Sequence, residues 1–216
     1  SEAHVQSRSQ LLEENARLRR ENLVLQGRSH QMASLQAENV RLRALLNSSA
    51  LLRDDVLVAE LIGVSPDPMR HQLVLNKGEQ DGVFVGQPLI DADGLLGQIV
   101  EVSSISSRAM LITDATHSIP VQVNRNGVRA IAEGTGVLGM LEVHHVAATT
   151  DIREGDLLVT SGLGGRFPVG YPVAVVREVE RDPGQPFARI LARPSAALDR
   201  SRHVLLVFTA GHDRES

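Results

Sequence analysis

The chain of 216 residues has no cysteine and no tryptophan, one tyrosine and four phenylalanines. Without cysteine there is neither a disulfide framework nor a thiolate metal site, although the compartment stays open. So few aromatics cannot furnish sugar-stacking platforms or the stacked rows that hold single-stranded nucleic acid. The core has to be built from Val, Leu and Ile. An excess of positive charge is also missing: 22 Lys and Arg stand against 26 Asp and Glu, a net charge of −4, which argues against a general nucleic-acid surface. Arg17, Arg19 and Arg20 resemble the basic arm of a DNA-binding zipper, but glutamates interleave them and they lie inside the repeat described below rather than before it. No apolar run approaches the roughly 20 residues of a membrane-spanning helix, and no signal peptide is visible. The chain opens at Ser1-Glu2-Ala3, almost inside a helical repeat. The expectation is either a wholly soluble protein or one whose anchor precedes this segment.

What is present begins with a heptad. Leu11, Leu18, Leu25 and Met32 fall seven residues apart, with Asn15 and Asn22 at the neighbouring seam position. The segment Leu11–Arg19 recurs as Leu35–Arg43, 24 residues on, which is three heptads plus three and places a stammer near Gly27–Leu35. Leu11, Asn15, Leu18, Asn22, Leu25, Met32, Leu35, Asn39, Leu42 and Leu46 are the candidate dimerisation residues, at a and d positions of a coiled coil. Glu14 and Arg19 flank Asn15 at g and e, and Glu38 and Arg43 repeat the relation around Asn39. In a parallel two-stranded coil those positions face each other across chains, and asparagine at a favours two strands in fixed register. A helix from Leu11 to Leu46 would run about 54 Å. The competing reading is a solvated helix packed on its own domain.

After Ser48-Ser49 the period becomes strand-like. Apolar runs at Val56–Val64, Leu73–Leu75, Pro88–Ile90, Leu95–Val102, Met110–Ile112, Val121–Val123, Val128–Ala132, Met140–Val146, Asp156–Thr160, Pro172–Val179, Phe187–Ala192 and Val204–Phe208 are separated by turn residues. Asn126-Gly127 is the strongest hairpin signal and predicts a two-residue type I′ turn. Gly94–Val102 resembles Gly170–Val179, given one inserted residue, which suggests two related units of about six strands, and six strands close a small barrel without exposed edges. The expected organisation is a helix over 1–50, a first barrel over 54–116 with 200–209 as the candidate completing strand, and a second barrel over 117–199.

Three chemical signals are weak. Gly134-Thr135-Gly136-Val137-Leu138-Gly139 matches a dinucleotide fingerprint, with Glu154 20 residues after its first glycine, but no helix opens at the glycines. His144-His145 would point to opposite faces of a strand and lack a third ligand at useful spacing. His71, Asp114 and Ser161 occur in the order of chymotrypsin-like proteases, which also consist of two six-stranded barrels. Ser161, however, lacks the surrounding sequence that shapes the oxyanion hole. No catalytic, metal or cofactor residue is therefore expected.

The leucine/asparagine repeat, Asn76-Lys77-Gly78 with Asp81-Gly82-Val83, and Asp93-Gly94 leading into Leu95–Val102 together resemble the MreC family of rod shape-determining proteins. The most specific piece is the run of Gly155-Asp156, Thr160-Ser161-Gly162, Gly164-Gly165, Phe167-Pro168, Gly170 and Pro172-Val173. Ala174 departs from it where a second glycine is expected. The resemblance covers essentially the whole chain. It implies a coiled coil followed by two barrels like those of chymotrypsin without a triad, and a non-enzymatic, cofactor-free scaffold of cell-wall elongation. It further implies a location in the periplasm, with membrane attachment only through an N-terminal helix not contained in this chain. The implied partners are a second copy, filaments in some members, the elongation-specific class B penicillin-binding protein, MreD, RodA and, across the membrane, MreB; nucleic acid is not among them.

Within the family the second barrel meets the penicillin-binding protein largely through apolar contacts. Phe167, Pro168, Tyr171 and Pro172 are accordingly the candidate partner-binding residues, since two of the five aromatics sit in one proline-bracketed loop. The alternative is that Phe167 plugs its barrel and Tyr171 covers a strand. A periplasmic adaptor of an efflux or secretion system is the second functional reading; such adaptors place a helical hairpin between two β halves, whereas this chain has a single N-terminal helix.

Overall fold

The computed structural model describes the backbone of residues 2–51 and 55–208 and the side chains of 7–46 and 56–208. Ser1, Asp54 and Thr209, the outer limits of three expected segments, lie outside the described residues. The chain divides into two compact units, one up to Ala44 and the other from Leu45 onward.

The first unit is the helix α1 (Glu2–Leu51, whose last residues extend into the second unit), rich in Leu, Glu, Arg, Gln and Ala and free of proline. Gly27, worth about 1 kcal/mol less than alanine in a helix interior, does not interrupt it. Nothing lies within 4 Å of where a Cβ at Gly27 would stand. The helix is continuous across Gly27–Leu35, where the stammer is expected.

The second unit consists of β1 (Asp55–Val64), β2 (Gln72–Leu75), β3 (Pro88–Ile90), β4 (Leu95–Val102), β5 (Ser107–Leu111), β6 (Ser118–Val123), β7 (Arg129–Gly134), β8 (Leu141–His144), β9 (Leu157–Thr160), β10 (Pro172–Glu180), β11 (Arg189–Pro194) and β12 (His203–Phe208). They form two closed six-stranded barrels, in the orders β1-β12-β3-β4-β5-β2 and β10-β11-β8-β7-β6-β9. All pairings are antiparallel. The chain builds five strands of the first barrel, makes the whole second barrel, and returns as β12 between β1 and β3, with Asp55 opposite Phe208 and Leu89 opposite Leu206.

Alternation explains which side chains fill each barrel. On β6, Ile119, Val121 and Val123 are buried while Pro120 and Gln122 are half-exposed. β12 differs because both its faces are covered. Val204 and Leu206 belong to the first-barrel cluster, and Leu205 and Val207 to the cluster that fills the second barrel. Ile90 and Leu95 join that second cluster too. β12 is thus a wall shared by both cores, which is why it reads as an unbroken apolar run.

Three local expectations need correction. The strand expected at Met110–Ile112 is Ser107–Leu111, because β5 must span both β2 and β4 in register. Phe187 precedes β11 and makes only an isolated bridge to Ala147. The turn at Asn126-Gly127 is a four-residue loop instead of type I′: the Val123 N–H donates to the Val128 carbonyl at 2.8 Å, Gly127 alone takes a positive φ, 72°, and Asn126 does not. Side-chain anchoring accounts for the longer loop. Arg125 grips Asp156 through two 2.9 Å bonds, and the Asn126 side chain donates to the Asp151 carbonyl at 2.8 Å.

Candidate functional site

All ten candidate seam residues lie on α1. Leu18 is 51% exposed and Met32 71%; Leu11, Leu25, Leu35 and Leu46 are likewise exposed. Asn15, Asn22 and Asn39 are exposed and Leu42 is half-buried. Leu12, Leu23, Val24 and Val40 are also exposed, so the uncovered apolar surface is wider than the a/d stripe alone. The heptad template passed over them because they fall at other positions. Within this helix Glu14 accepts from Arg17 at 2.8 Å, and the Arg43 Nε donates to Asn39 Oδ1 at 2.8 Å. Exposed i,i+3 and i,i+4 contacts of this kind are worth at most a few tenths of a kcal/mol and leave the side chains available for exchange.

The loop Ser161–Tyr171 closes one part of the second barrel. Gly162, Gly164, Gly165 and Gly170 all have positive φ, so the chain doubles back on itself. Thr160 fastens the loop: its hydroxyl donates to the Pro168 carbonyl and accepts from the Tyr171 N–H at 2.8 Å. The result overturns the expectation that aromatic anchors are presented here. Phe167 is 6% exposed and packs edge-on against His117, with ring centroids 6.3 Å apart; Tyr171 is 8% exposed. Pro168 and Pro172 are half-buried. Doubling the loop back directs both rings inward, and the apolar groups left outside are Leu163 and Val169, the latter 72% exposed.

Tyr171 has a second role. Its hydroxyl donates to the Asp91 carbonyl at 3.0 Å, joining the second barrel to the β3–β4 turn of the first. The Asp91 carboxylate accepts from the N–H groups of Asp93, Gly94 and Ala197 and from the Ser201 hydroxyl, at 2.8–3.0 Å. Burial raises its pKa, against the opposing pull of those hydrogen bonds. Gly94 completes the joint, because a Cβ there would stand 2.7 Å from the Pro172 carbonyl oxygen. Asp91 and Gly94 read as hairpin residues in the sequence, and Asp93-Gly94 counts toward the family resemblance. The Asp-x-Asp-Gly spacing is the available signal, and it speaks of a turn, not of the neighbouring barrel.

No catalytic constellation forms from His71, Asp114 and Ser161. The Asp114 carboxylate accepts backbone N–H groups of His71 and Thr116, and the His71 ring pairs with the Thr113 hydroxyl at 2.8 Å. The Ser161 hydroxyl accepts from the Leu163 N–H at 3.3 Å. A triad needs the carboxylate on the imidazole and the imidazole on the serine, and neither link exists. The glycines at 134–139 open a turn, and Gly134 lies against backbone, its absent Cβ 1.9 Å from the Asp114 carbonyl oxygen. His144 faces Glu133 at 3.3 Å. Among the described residues no three His, Cys, Asp or Glu side chains are grouped to hold a metal ion, and no helix is long and apolar enough to cross a membrane.

The family described as rod shape-determining protein MreC, barrel core, matches residues 61–208. The cell shape-determining protein MreC of Haemophilus influenzae is 50% identical over 206 residues, covering 95% of this chain and 56% of that protein. The chain thus spans little more than half the length of that relative. The crystal structure of MreC from Pseudomonas aeruginosa is similar at 64% identity with a TM-score of 0.70, over 72% of this chain and 100% of that one. A chain of the complex between the penicillin-binding protein PBP2 and MreC from Helicobacter pylori shares the fold at 20% identity and a TM-score of 0.56, over 71% of this chain and 97% of that one.

Proposed function

The chain belongs to the MreC family of rod shape-determining proteins, and on that premise we propose that it is a non-enzymatic scaffold of cell-wall elongation, held in the periplasm by an anchor preceding this segment. The observation that carries the reading is the exposed leucine stripe of α1, in a chain whose two barrels bury their own apolar residues. An uncovered stripe of that length calls for a partner helix, and the Glu14/Arg19 and Glu38/Arg43 spacing favours an identical helix, parallel and in register. Confinement at a membrane raises effective concentration and lets a seam weakened by asparagines and Gly27 dimerise, with filaments as a further stage of assembly.

The partner of the barrels is the elongation-specific class B penicillin-binding protein; the penicillin-binding protein complex of the Helicobacter relative supports this assignment. The 161–172 loop contributes through Leu163 and Val169, while Phe167 and Tyr171 hold its shape and Pro168 and Pro172 limit its freedom. MreD, RodA and MreB complete the assembly. The test is binding of the full chain to the soluble ectodomain of that penicillin-binding protein, with a serine-directed fluorophosphonate as control. Saturable binding that Val169→Asp weakens and Ser161→Ala leaves unchanged supports the scaffold. Absence of binding, or stoichiometric labelling of Ser161, overturns it.

A further inference from the structure

A groove of about 470 Å³ lies on the outer face of the second barrel, where β10 and β11 meet the 194–200 segment leading to β12. Its floor is apolar, formed by Val175, Pro194 and Leu198, which are half-buried, with the exposed Leu138 at one side. Its rim carries Arg177, Arg193 and Arg200. Arg177 is the extra residue where the β10–β11 register shifts between Val176 and Glu178, and Arg193 stands opposite Val175. The acid on this rim, Asp199, lies 3.6 Å from Arg200. Among the described residues, the side chains of Arg177 and Arg193 take part in no hydrogen bond or ion pair.

In a chain of net charge −4, a local surplus of guanidinium groups around an apolar floor is not explained by solubility. Guanidinium forks match carboxylates in bidentate geometry, and the floor asks for an aliphatic side chain between them. The volume falls within the roughly 300–1,000 Å³ of ordinary binding clefts. Both barrels are closed, so no open strand edge offers backbone pairing. A lipid surface is a poorer match, because polybasic membrane patches carry about 4–8 Lys or Arg on an open face rather than three around a recess. Nucleic acid would need aromatic platforms that this lining lacks. The geometry points to a docking groove for an extended acidic segment of a partner protein, with an aliphatic residue set between two carboxylates. The groove shares no lining residue with α1 or with the 161–172 loop, so its success or failure is independent of the scaffold reading.

The test titrates the isotope-labelled full chain with the synthetic peptide acetyl-Asp-Leu-Glu-Leu-Asp-amide and follows the methyl resonances of Leu138, Val175 and Leu198. Saturable shifts centred on these residues are expected, with at least a tenfold rise in Kd for the Arg177→Glu/Arg193→Glu variant. The corresponding lysine-for-acid peptide should give no response, and Arg193→Lys should fall between wild type and the double variant. Both arginines are exposed, and an unchanged thermal midpoint will show that the double variant is folded. Absence of shifts, shifts centred elsewhere, or an unchanged Kd in the double variant overturns the assignment. Binding to phosphatidylglycerol vesicles that the double variant loses, with the peptide silent, also overturns it and makes the groove a lipid site.

Discussion

The helix and the barrels of this chain draw on the same aliphatic residues and treat them in opposite ways. On α1, Leu11, Leu18, Leu25, Met32 and Leu35 remain exposed. In the β unit, Leu89, Leu95, Leu141, Leu158 and Leu206 are completely buried. A barrel satisfies its backbone and its core by closing on itself. A lone helix satisfies its backbone but has nowhere to put its apolar stripe. The barrels are therefore finished surfaces on which specific contacts can be placed, and the helix keeps an apolar stripe that, in the function proposed above, a second copy covers.

The sharpest way to break that contrast is to remove equivalent leucines from each region. Leu206→Ala should cost the β unit about 4 kcal/mol, since it opens a cavity in a wall with a core on either side. Leu25→Ala should leave the same unfolding transition unmoved. The comparison is read from urea midpoints followed by a probe of the barrels, and equal effects would mean that the helix is part of the barrel core.

A second prediction concerns pH. His117 is buried and neither ring nitrogen has a partner. Burial lowers its pKa to about 4, with the Asp114 charge pulling the other way. The unfolded chain takes up this proton near 6.5 and the folded chain only near 4, so its contribution is complete above 6.5 and is lost as pH falls through that window. The loss is about 3 kcal/mol for the β unit. Urea titrations from pH 7.5 down to 4 should show the slope, and His117→Leu should flatten it.

The smallest of these effects lies at the barrel joint. Tyr171→Phe removes the hydroxyl that reaches the Asp91 carbonyl and should lower stability by about 1 kcal/mol. Binding to the penicillin-binding protein ectodomain should be unchanged, since the ring is buried. A loss of binding without a loss of stability would return Tyr171 to the partner surface.

How much of this was legible in the sequence differs between the regions for a physical reason. Heptad spacing and strand alternation are local periodicities, and both the helix and the β character of the rest could be read from them. The apolar run at Val204–Phe208 was readable as a strand, but its two covered faces are not, because burial on the second face depends on a barrel far away in sequence. The same limit explains Phe167 and Tyr171. Prolines and glycines announced a constrained loop, yet only the Thr160 hydrogen bonds and the Asp91 carbonyl decide that its rings turn inward. Asn126-Gly127 was misread as a two-residue turn because the anchors of its loop, Asp151 and Asp156, lie about 25–30 residues further on. His117 carries no local signal at all, its character coming from burial against Phe167.

The claim that the helix is one half of a parallel, in-register pair is tested most directly by cysteine cross-linking, since the chain has no native cysteine. A single Leu18→Cys variant, oxidised under mild conditions, should form a disulfide-linked dimer through identical positions. A mixture of Leu18→Cys and Asn39→Cys chains should give like-with-like dimers and no 18-to-39 product. Replacing Leu25 with Asp in the Leu18→Cys background should abolish the cross-link and leave the barrels folded. A dominant 18-to-39 product, or a Leu18→Cys chain that stays monomeric at every concentration tested, would contradict the account.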